Sequence, residues 1–188
     1  TVHEIHTASK DAFIEPTIEQ TVVHLNFLGA NEVTEIEKAK PTENYYNYFI
    51  GNDESKWASN VKGYGEAVLK NLYNGIDLKL IEELEQLKYE FHVAPQVDPN
   101  QILLEYVGQE KLKIDKRGNL VVQTRLGEII EQKPYAYQIV NGSIREVSCS
   151  FALEGDKVSF LLGTYNPNAA LIIDPVLVFA TYCGSVTD

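Results

Sequence analysis

The segment KLKIDKRGNLVVQT, residues 111–124, gives the clearest indication of the fold class. An alternating apolar and polar run meets a turn at residues 116–119, and a second alternating run follows the turn. Alternation of this kind on both sides of a glycine-containing turn is typical of a β-hairpin. The segment therefore predicts two antiparallel strands joined by a short loop.

The same arrangement recurs further along the chain. Turn-forming pairs and triplets stand at residues 126–127, 141–142, 154–156 and 166–168. The segments between them are short and rich in β-branched and aromatic residues, which favour strands. This regular spacing predicts an antiparallel meander.

Three further segments alternate in a way that places one face against a core. They are EVSCSFALEG at 146–155, TVVHLNFLG at 21–29 and QLKYEFHV at 86–93. Their predicted inward positions are Val147, Cys149, Phe151, Leu153, Val23, Leu25, Phe27, Leu87, Tyr89, Phe91 and Val93. We therefore predict an all-β domain, an antiparallel meander forming a β-sandwich-like structure with few or no helices.

Some segments of the first half do not alternate clearly. Residues 31–49 are charged and then interrupted by Pro41, so we predict a loop or a short helical turn there. Residues 53–60, DESKWASN, are expected to begin with a single helical turn capped by Asp53. Residues 81–87, IEELEQL, lie between two strand patterns and are expected to form a hairpin connection.

The C-terminal sequence LIIDPVLVFATYCGSVTD carries an apolar run around Pro175. Proline is confined to strand starts, edges and bends, so one strand should end near Ile173 and another begin near Val176. An apolar strand left unpaired would favour aggregation, so we expect residues 176–182 to dock on the domain's own sheet. We assign residues 1–46 to N-terminal strands and a variable loop of the same domain, 47–182 to its core, and 183–188 to a linker.

Composition excludes several classes of function. The chain has 188 residues, with 16 basic against 27 acidic side chains and a net charge of -11, so nucleic acid and anionic membranes are unfavourable partners. No apolar run of about 18 residues is present, so no spanning helix is expected. The first residues lack signal-peptide features, although a signal could have been removed. Because methionine is absent, we interpret the chain as a processed or excised piece of a longer protein.

The histidines give no metal site. His3 and His6 have a spacing that suits a metal only on a helix, which nothing here predicts, so we interpret them as part of a solvated terminus. His24 and His92 lie on the polar faces of two strands, either as exposed residues or as neighbours across a sheet. No third ligand is identifiable, so we expect neither a metal nor a cofactor.

Two carboxylates are better placed for chemistry than the others. Asp77 and Glu90 lie on predicted strands that would hold them rigidly, as a hydrolase requires of its acid and base. We nevertheless favour structural use, through hydrogen bonds to turns or exposure to water. The glutamates of residues 81–87 are interpreted as solvating a polar connection.

The segment NYFIGNDESKWASNVKGYG, residues 47–65, holds the single tryptophan among many aromatic residues. The aromatic side chains of this region are Tyr45, Tyr46, Tyr48, Phe49, Trp57 and Tyr64. They suit either a sugar-stacking platform or closure of one end of the core. We favour core closure, with Trp57 and Tyr64 as the candidate ligand-binding residues of the other interpretation.

The residues also resemble a known family. NYFIGNDESKWASNV, YGEAVLKNLYNGIDLKL, LKYEFHVAPQVDPNQILLEYVG, KLKIDKRGNLVVQT, QKPYAYQ and LIIDPVLVFATYCGS occur in order at the family's spacing. Together they resemble the uncharacterised domain that precedes SBBP repeats in large bacterial surface proteins. The resemblance implies an extracellular multidomain protein, often with β-propeller-type repeats after this module and in some relatives a C-terminal secretion signal, and it implies no known catalytic activity. IEELEQ departs from the family's tighter glycine turn, and Cys183 stands where an aliphatic residue is usual.

These observations lead to one functional hypothesis and one alternative. We expect a non-catalytic N-terminal module of an exported surface protein, acting in display, adhesion or assembly, with downstream domains and surface glycans or proteins as partners. The alternative is a carbohydrate-active domain that binds glycans through Trp57 and Tyr64 or hydrolyses them through Asp77 and Glu90.

The two cysteines, Cys149 and Cys183, have two possible states. An exported chain meets an oxidising setting, so a disulfide between them is possible. Cys149 falls on the apolar face of its strand, where a free thiol packs well, and we favour free thiols.

Overall fold

The computed structural model describes residues 19–32, 35–83, 86–175 and 177–178. Two short 3-10 turns, Glu54–Lys56 and Pro99–Gln101, interrupt an otherwise β structure, and the described residues contain no α-helix. The strands are β1 His24–Phe27, β2 Ile36–Tyr48, β3 Ala58–Tyr73, β4 Ile76–Glu83, β5 Gln86–Val93, β6 Leu104–Val107, β7 Lys111–Ile114, β8 Leu120–Thr124, β9 Gly127–Glu131, β10 Tyr135–Val140, β11 Ser143–Val147, β12 Cys149–Glu154, β13 Lys157–Leu162, β14 Leu171–Asp174 and β15 Leu177–Val178.

The strands form three antiparallel sheets. One four-stranded sheet has the order β1-β6-β13-β12, the seven-stranded sheet has the order β11-β10-β14-β5-β4-β3-β2, and the third has the order β15-β9-β8-β7. Most neighbours are consecutive in the chain, as in a meander. The fold class predicted from the sequence, an antiparallel β-sandwich-like domain, is confirmed.

Apolar side chains from all three sheets pack into one core. Phe91 lies on β5, the middle strand of the seven-stranded sheet, and is fully buried. The rings of Phe27, Tyr89 and Phe160 lie 6.2, 5.8 and 5.9 Å from it, all close to edge-on. Such edge contacts are a favoured aromatic geometry, so Phe91 links two sheets through a single ring.

The hairpin of residues 111–124 forms as predicted, through the chemistry of its own loop. The carboxylate of Asp115 accepts the backbone N–H groups of Arg117 and Asn119 at 2.8 and 2.9 Å. Gly118 has a φ of 87°, which a residue with a Cβ rarely adopts. Local hydrogen bonds and one glycine therefore fix the register of Leu112 against Val122.

The prediction of a loop or helical turn at residues 31–49 is wrong. The strand β2 runs through this segment and pairs with β3. Pro41 is compatible with a strand here because β2 is the edge of the seven-stranded sheet, where one N–H of the ladder needs no partner. The neighbouring Lys40 has a positive φ of 54°, so the strand is also irregular at this point.

Smaller expectations need correction. Leu87, predicted to face the core, is 46% exposed because it lies next to the last residue pair of the β4–β5 hairpin, Glu83 and Gln86. Val147 and Cys149 are both buried, but they belong to different strands, β11 and β12. His24 and His92 are not neighbours across a sheet, since β1 and β5 lie in different sheets. His3 and His6 lie outside the described residues.

The other local predictions agree with the structure. Asp53 caps the 3-10 turn Glu54–Lys56 by accepting the backbone N–H of Ser55. The strands β4 and β5 form a hairpin whose pairing reaches Glu83 and Gln86, so the strands extend into the segment 81–87, while residues 84–85 lie outside the described range. The four predicted turns after residue 125 also lie where one strand ends and the next begins.

Around Pro175 the chain behaves largely as expected. The strand β14 ends at Asp174 and β15 begins at Leu177, within one residue of the predicted limits. Val178 pairs with Ile130 of β9, so this part of the tail docks on the domain's own sheet. Residues 176 and 179–188 lie outside the described range.

Cys149 is buried and forms no disulfide within the part of the chain that the structure describes. Burial raises the pKa of its thiol to about 11, which keeps it protonated and unreactive. Because Cys183 is not described, the state of the pair stays a prediction. Two alkylatable thiols in the unreduced protein, seen by mass spectrometry, would exclude the bridge.

None of the helical segments that the structure describes has the length and apolar character needed to cross a membrane.

Candidate functional site

A two-stranded arm, residues 41–64, extends from one corner of the seven-stranded sheet. The strand β3 pairs with β4 only from Glu66, opposite Ile81, to its C-terminal end. The earlier part of β3 pairs with β2 alone, from Pro41 opposite Tyr64 to Tyr48 opposite Ala58. At about 3.3 Å per residue, this unsupported ribbon continues for about 20 Å.

The arm presents its large apolar side chains to solvent. Almost every residue from 41 to 64 is exposed, including the tip. The exposed aromatic and apolar side chains are Tyr45, Tyr46, Tyr48, Phe49, Ile50, Trp57, Val61 and Tyr64. An exposed cluster of this kind is uncommon on a monomeric protein and marks interaction surfaces.

Aromatic side chains occupy both faces of the arm. Tyr46 lies on the same face as its cross-strand partner Val61, and the ring of Tyr48 lies 6.5 Å from that of Tyr46. Tyr45 pairs with Lys62, and Tyr64 lies two residues after Lys62 on the same strand. Tyr45 and Tyr64 therefore lie on the face opposite to that of Val61. The arm is therefore a protruding ribbon rather than a flat platform.

The tip of the arm is held by its own contacts. Trp57 packs edge-on against Phe49 with ring centroids 5.4 Å apart, and its Nε1–H donates to the carbonyl of Gly51 at 3.1 Å. The hydroxyl of Ser55 donates to Asp53 at 2.6 Å, and this bond is the main cause of the lowered pKa of Asp53. Side chains that are positioned before binding lose less entropy when a partner docks.

Both strands of the arm carry features that hinder pairing with another strand. Pro41 lacks a donor, and the register of β2 against β3 shifts twice between Pro41 and Tyr48. Asn60 has a positive φ of 57° and donates its backbone N–H to the side-chain oxygen of Asn47. Prolines, lysines and bulges of this type prevent edge-to-edge association, so the arm is suited to contact through side chains.

These observations overturn core closure by the aromatic residues. Trp57 is 39% exposed and Tyr64 is 42% exposed, and neither belongs to the buried core. Trp57 lies at the tip, while Tyr64 lies at the base, where Lys38 Nζ is 5.5 Å from its ring centroid. The sequence does not reveal this exposure, because a strand that covers a core and a strand that extends beyond the core can have the same aromatic pattern.

Asp77 and Glu90 lie far from the arm tip in the fold, on the polar face of the seven-stranded sheet. Asp77 forms an ion pair with Lys70 and accepts the backbone N–H of Asn71 at 2.7 Å. Burial acts to raise the pKa of Asp77, but the hydrogen bonds from Asn71 and Lys70 outweigh it and leave the pKa lowered. Both oxygens of the carboxylate are therefore engaged in holding the β3–β4 connection.

Glu90 has a comparable set of partners. His92 Nε2 lies 2.9 Å from one carboxylate oxygen, and Lys88 Nζ lies 3.4 Å from the other. The hydrogen bond to His92 lowers the pKa of Glu90 and outweighs the opposing effect of burial. A general acid requires a raised pKa, so neither this carboxyl nor Asp77 has the environment of one.

Their mutual placement is that of an ion-pair row across a sheet. Asp77 is opposite His92 in the register, which makes Glu90 its diagonal neighbour on the same face. Lys88 also pairs with Asp174 of β14 at 2.8 Å, and Lys79 pairs with Glu66 of β3 at 3.4 Å. The structure thus brings Asp77 and Glu90 together among cations and keeps them apart from Trp57.

A second candidate site was not found from the sequence. Glu131, the last residue of β9, is 1% exposed. The hydroxyl of Tyr89 donates to its Oε2 at 2.9 Å, and the hydroxyl of Tyr106 donates to its Oε1. Burial raises the pKa of Glu131, and the two hydrogen bonds oppose that shift.

A cavity of about 280 Å³ lies beside this carboxyl group. It lies where the three sheets meet, and most of its lining is apolar. The lining residues are Val23, Leu25, Phe27, Leu80, Leu87, Tyr89, Tyr106, Val122, Ile129 and Glu131. The signal in the sequence was the alternation of faces along β9. Glu131 lies on the same face as Ile129, and Ile129 pairs with the fully buried Val122, so Glu131 points toward the core.

A larger, shallow depression of about 540 Å³ lies between β10, β11 and residues 164–166, with Arg145 and Glu146 as its charged lining residues. Within the described ranges, no three His, Cys, Asp or Glu side chains come together in a way that could hold a metal ion.

Comparison with known proteins gives a family without an assigned function. The family model of a domain of unknown function, DUF7948, matches residues 1–176. No curated protein and no solved structure matches the chain.

Proposed function

We propose that this chain, which belongs to the DUF7948 family of domains of unknown function, is a non-catalytic module of an exported multidomain bacterial surface protein. In that protein it precedes SBBP-type repeats and serves in display, adhesion or assembly. The observation that carries the proposal is the arm, an exposed ribbon with aromatic side chains on both faces.

The partner that fits the arm best is a protein with an apolar groove. A ribbon with aromatic residues on both faces buries the most area when a groove encloses it, and aromatic anchors dominate the energy of protein interfaces. A two-stranded ribbon is marginally stable alone, so enclosure also stabilises the arm itself. The ordered contact between Trp57 and Phe49 supplies a fixed anchor at the tip.

The alternative is a glycan ligand, which the exposure of Trp57 and Tyr64 favours. Aromatic rings stack on sugars, but sugar sites also carry converging polar groups that fix the hydroxyls. Near Trp57 the polar groups are bonded to each other, as in the pairs Ser55 with Asp53 and Lys56 with Asp53. This arrangement supports the protein partner over the glycan.

Site-specific photo-crosslinking in the producing bacterium tests the proposal. A photoreactive phenylalanine analogue replaces Tyr46 on the arm in the full-length protein, and the same analogue replaces Ile139 of β10 in a control. The two positions are equally accessible, at 54% and 57% exposed. We expect one discrete protein adduct from the arm position and none from the control.

Surface exposure is measured on the same cells by protease treatment of intact bacteria. Equal crosslinking from both positions, or none from the arm, would reject the arm as the interface. Protection of the module until the cells are lysed would reject the exported location. Binding of the purified chain to a glycan array, lost in Trp57→Ala and retained in Ile139→Ala, would select the glycan alternative.

A further inference from the structure

The buried carboxyl group of Glu131 has no cationic partner among the described residues. Its two contacts are the neutral hydroxyls of Tyr89 and Tyr106, one on each oxygen. Within the described ranges, no lysine, arginine or histidine forms an ion pair with Glu131. The other two buried acidic side chains of the described residues, Glu90 and Asp174, both lie beside Lys88.

An unpaired buried carboxylate is costly, because the charge has left water without gaining an opposite charge. An ionised carboxylate can accept about four hydrogen bonds, and the two tyrosines supply two of them. Glu131 is itself one of the residues that line the cavity. A cation placed in the cavity would complete the site.

The rest of the cavity has the opposite character. Val23, Leu25 and Leu87 lie at its more exposed end, while Val122 and Tyr106 are buried at its inner end. The wall offers apolar surface and few hydrogen-bonding groups besides Glu131 and its two tyrosines. A volume of about 280 Å³ is just below the ~300–1,000 Å³ that is usual for ligand pockets, so the occupant is small.

We propose that this cavity binds a small amphiphilic cation, a primary ammonium on an alkyl or aryl body, with the ammonium at Glu131 and the body against Val23, Leu25 and Leu87. An anionic headgroup is repelled by the carboxylate, and a sugar finds too few polar groups in the wall. A neutral hydrocarbon fits the wall but leaves the charge of Glu131 uncompensated. This site is separate from the arm and does not depend on the function proposed for it.

Three six-carbon probes test the proposal on the full chain by isothermal titration calorimetry at neutral pH. They are n-hexylammonium, 1-hexanol and hexanoate, which share the body and differ in the charge of the head. We expect n-hexylammonium to bind at least about tenfold more tightly than 1-hexanol, because a charge-assisted bond replaces a neutral one, and hexanoate to bind weakest.

Two variants locate the site. Glu131→Gln removes the charge and keeps the shape, so n-hexylammonium should lose at least about tenfold in affinity while 1-hexanol changes by less than about threefold. Glu128→Gln is the matched control on the same strand, because that side chain is exposed and pairs with Lys113. Its affinities should match those of the parent.

A third variant covers the case in which Glu131→Gln does not fold. Leu25→Trp narrows the half-buried end of the cavity and should weaken both n-hexylammonium and 1-hexanol. The proposal is overturned if n-hexylammonium does not bind, if it binds no better than 1-hexanol or hexanoate, or if its preference survives in Glu131→Gln. It is equally overturned if Leu25→Trp leaves the binding of all three probes unchanged.

Discussion

Urea should open the arm before it unfolds the body of the domain. Trp57 is the only tryptophan in the chain and lies at the arm tip, so its fluorescence reports on the arm alone. The tip is held by one aromatic edge contact, one indole hydrogen bond and the Asp53 cap. Each of these contributes on the order of 1 kcal/mol, whereas whole domains have unfolding free energies of about 5–15 kcal/mol.

The expected free energy of opening the tip of the arm is therefore about 3 kcal/mol, and its dependence on urea is shallow because little surface is newly exposed. Fluorescence excited at 295 nm should change over a broad range that starts at low urea, with a midpoint at least about 1 M below that of the far-UV circular dichroism. The dichroism follows the sheets of the body and should show one steep transition. Coincident midpoints and slopes for the two signals would contradict early opening, because they would make the arm part of the cooperative core.

The core, the carboxyl group of Glu131 and the C-terminal strand each give a further prediction. Phe91→Ala should lower the unfolding free energy by about 3–5 kcal/mol in urea titrations, whereas Phe49→Ala on the arm should change it by less than about 1 kcal/mol; similar losses would contradict the assignment of the core. Burial raises the pKa of Glu131 in the folded protein above its value in the unfolded chain. The protonated carboxyl group therefore contributes fully to stability below the unfolded-state pKa, and this contribution is lost as the pH rises through the folded-state pKa. Glu131→Gln should therefore gain stability relative to the parent as the pH rises through that window, and a pH-independent difference would contradict the raised pKa. Deleting residues 176–188 should lower the melting temperature because it removes the pairing of β15 with β9, whereas deleting only 184–188 should not; equal melting temperatures for the longer deletion and the intact chain would place the domain boundary earlier.

The sequence was sufficient for the fold class and for most of the second half of the chain. In residues 111–124 the information is local, because Asp115 and Gly118 determine the loop and alternation determines the faces. It was insufficient for β2, where charge and Pro41 contradict a strand in any single-segment interpretation. The edge position that makes this strand possible is a property of the whole sheet.

The two candidate sites differ in the same way. The arm exists because the strand β3 is 16 residues long and its neighbour β4 is 8 residues long, and an alternating pattern carries no information on the length of a partner strand. Glu131 was within reach of sequence reasoning, since a carboxylate at an inward position of a strand is an exception that needs an explanation. The two tyrosines that bind it come from β5 and β6, and no pattern in one segment predicts that meeting.

The continuity of β3 gives the arm a mechanical property. One strand runs without a break from the tip, at Ala58, into the body of the seven-stranded sheet, at Tyr73. Hydrogen bonds in an antiparallel ladder lie perpendicular to the strands, so tension applied along β3 loads many of them in shear at the same time. A partner that grips the arm and pulls along its axis would transmit the force to β2 and β4 together, and the bonds would share the load instead of breaking one after another.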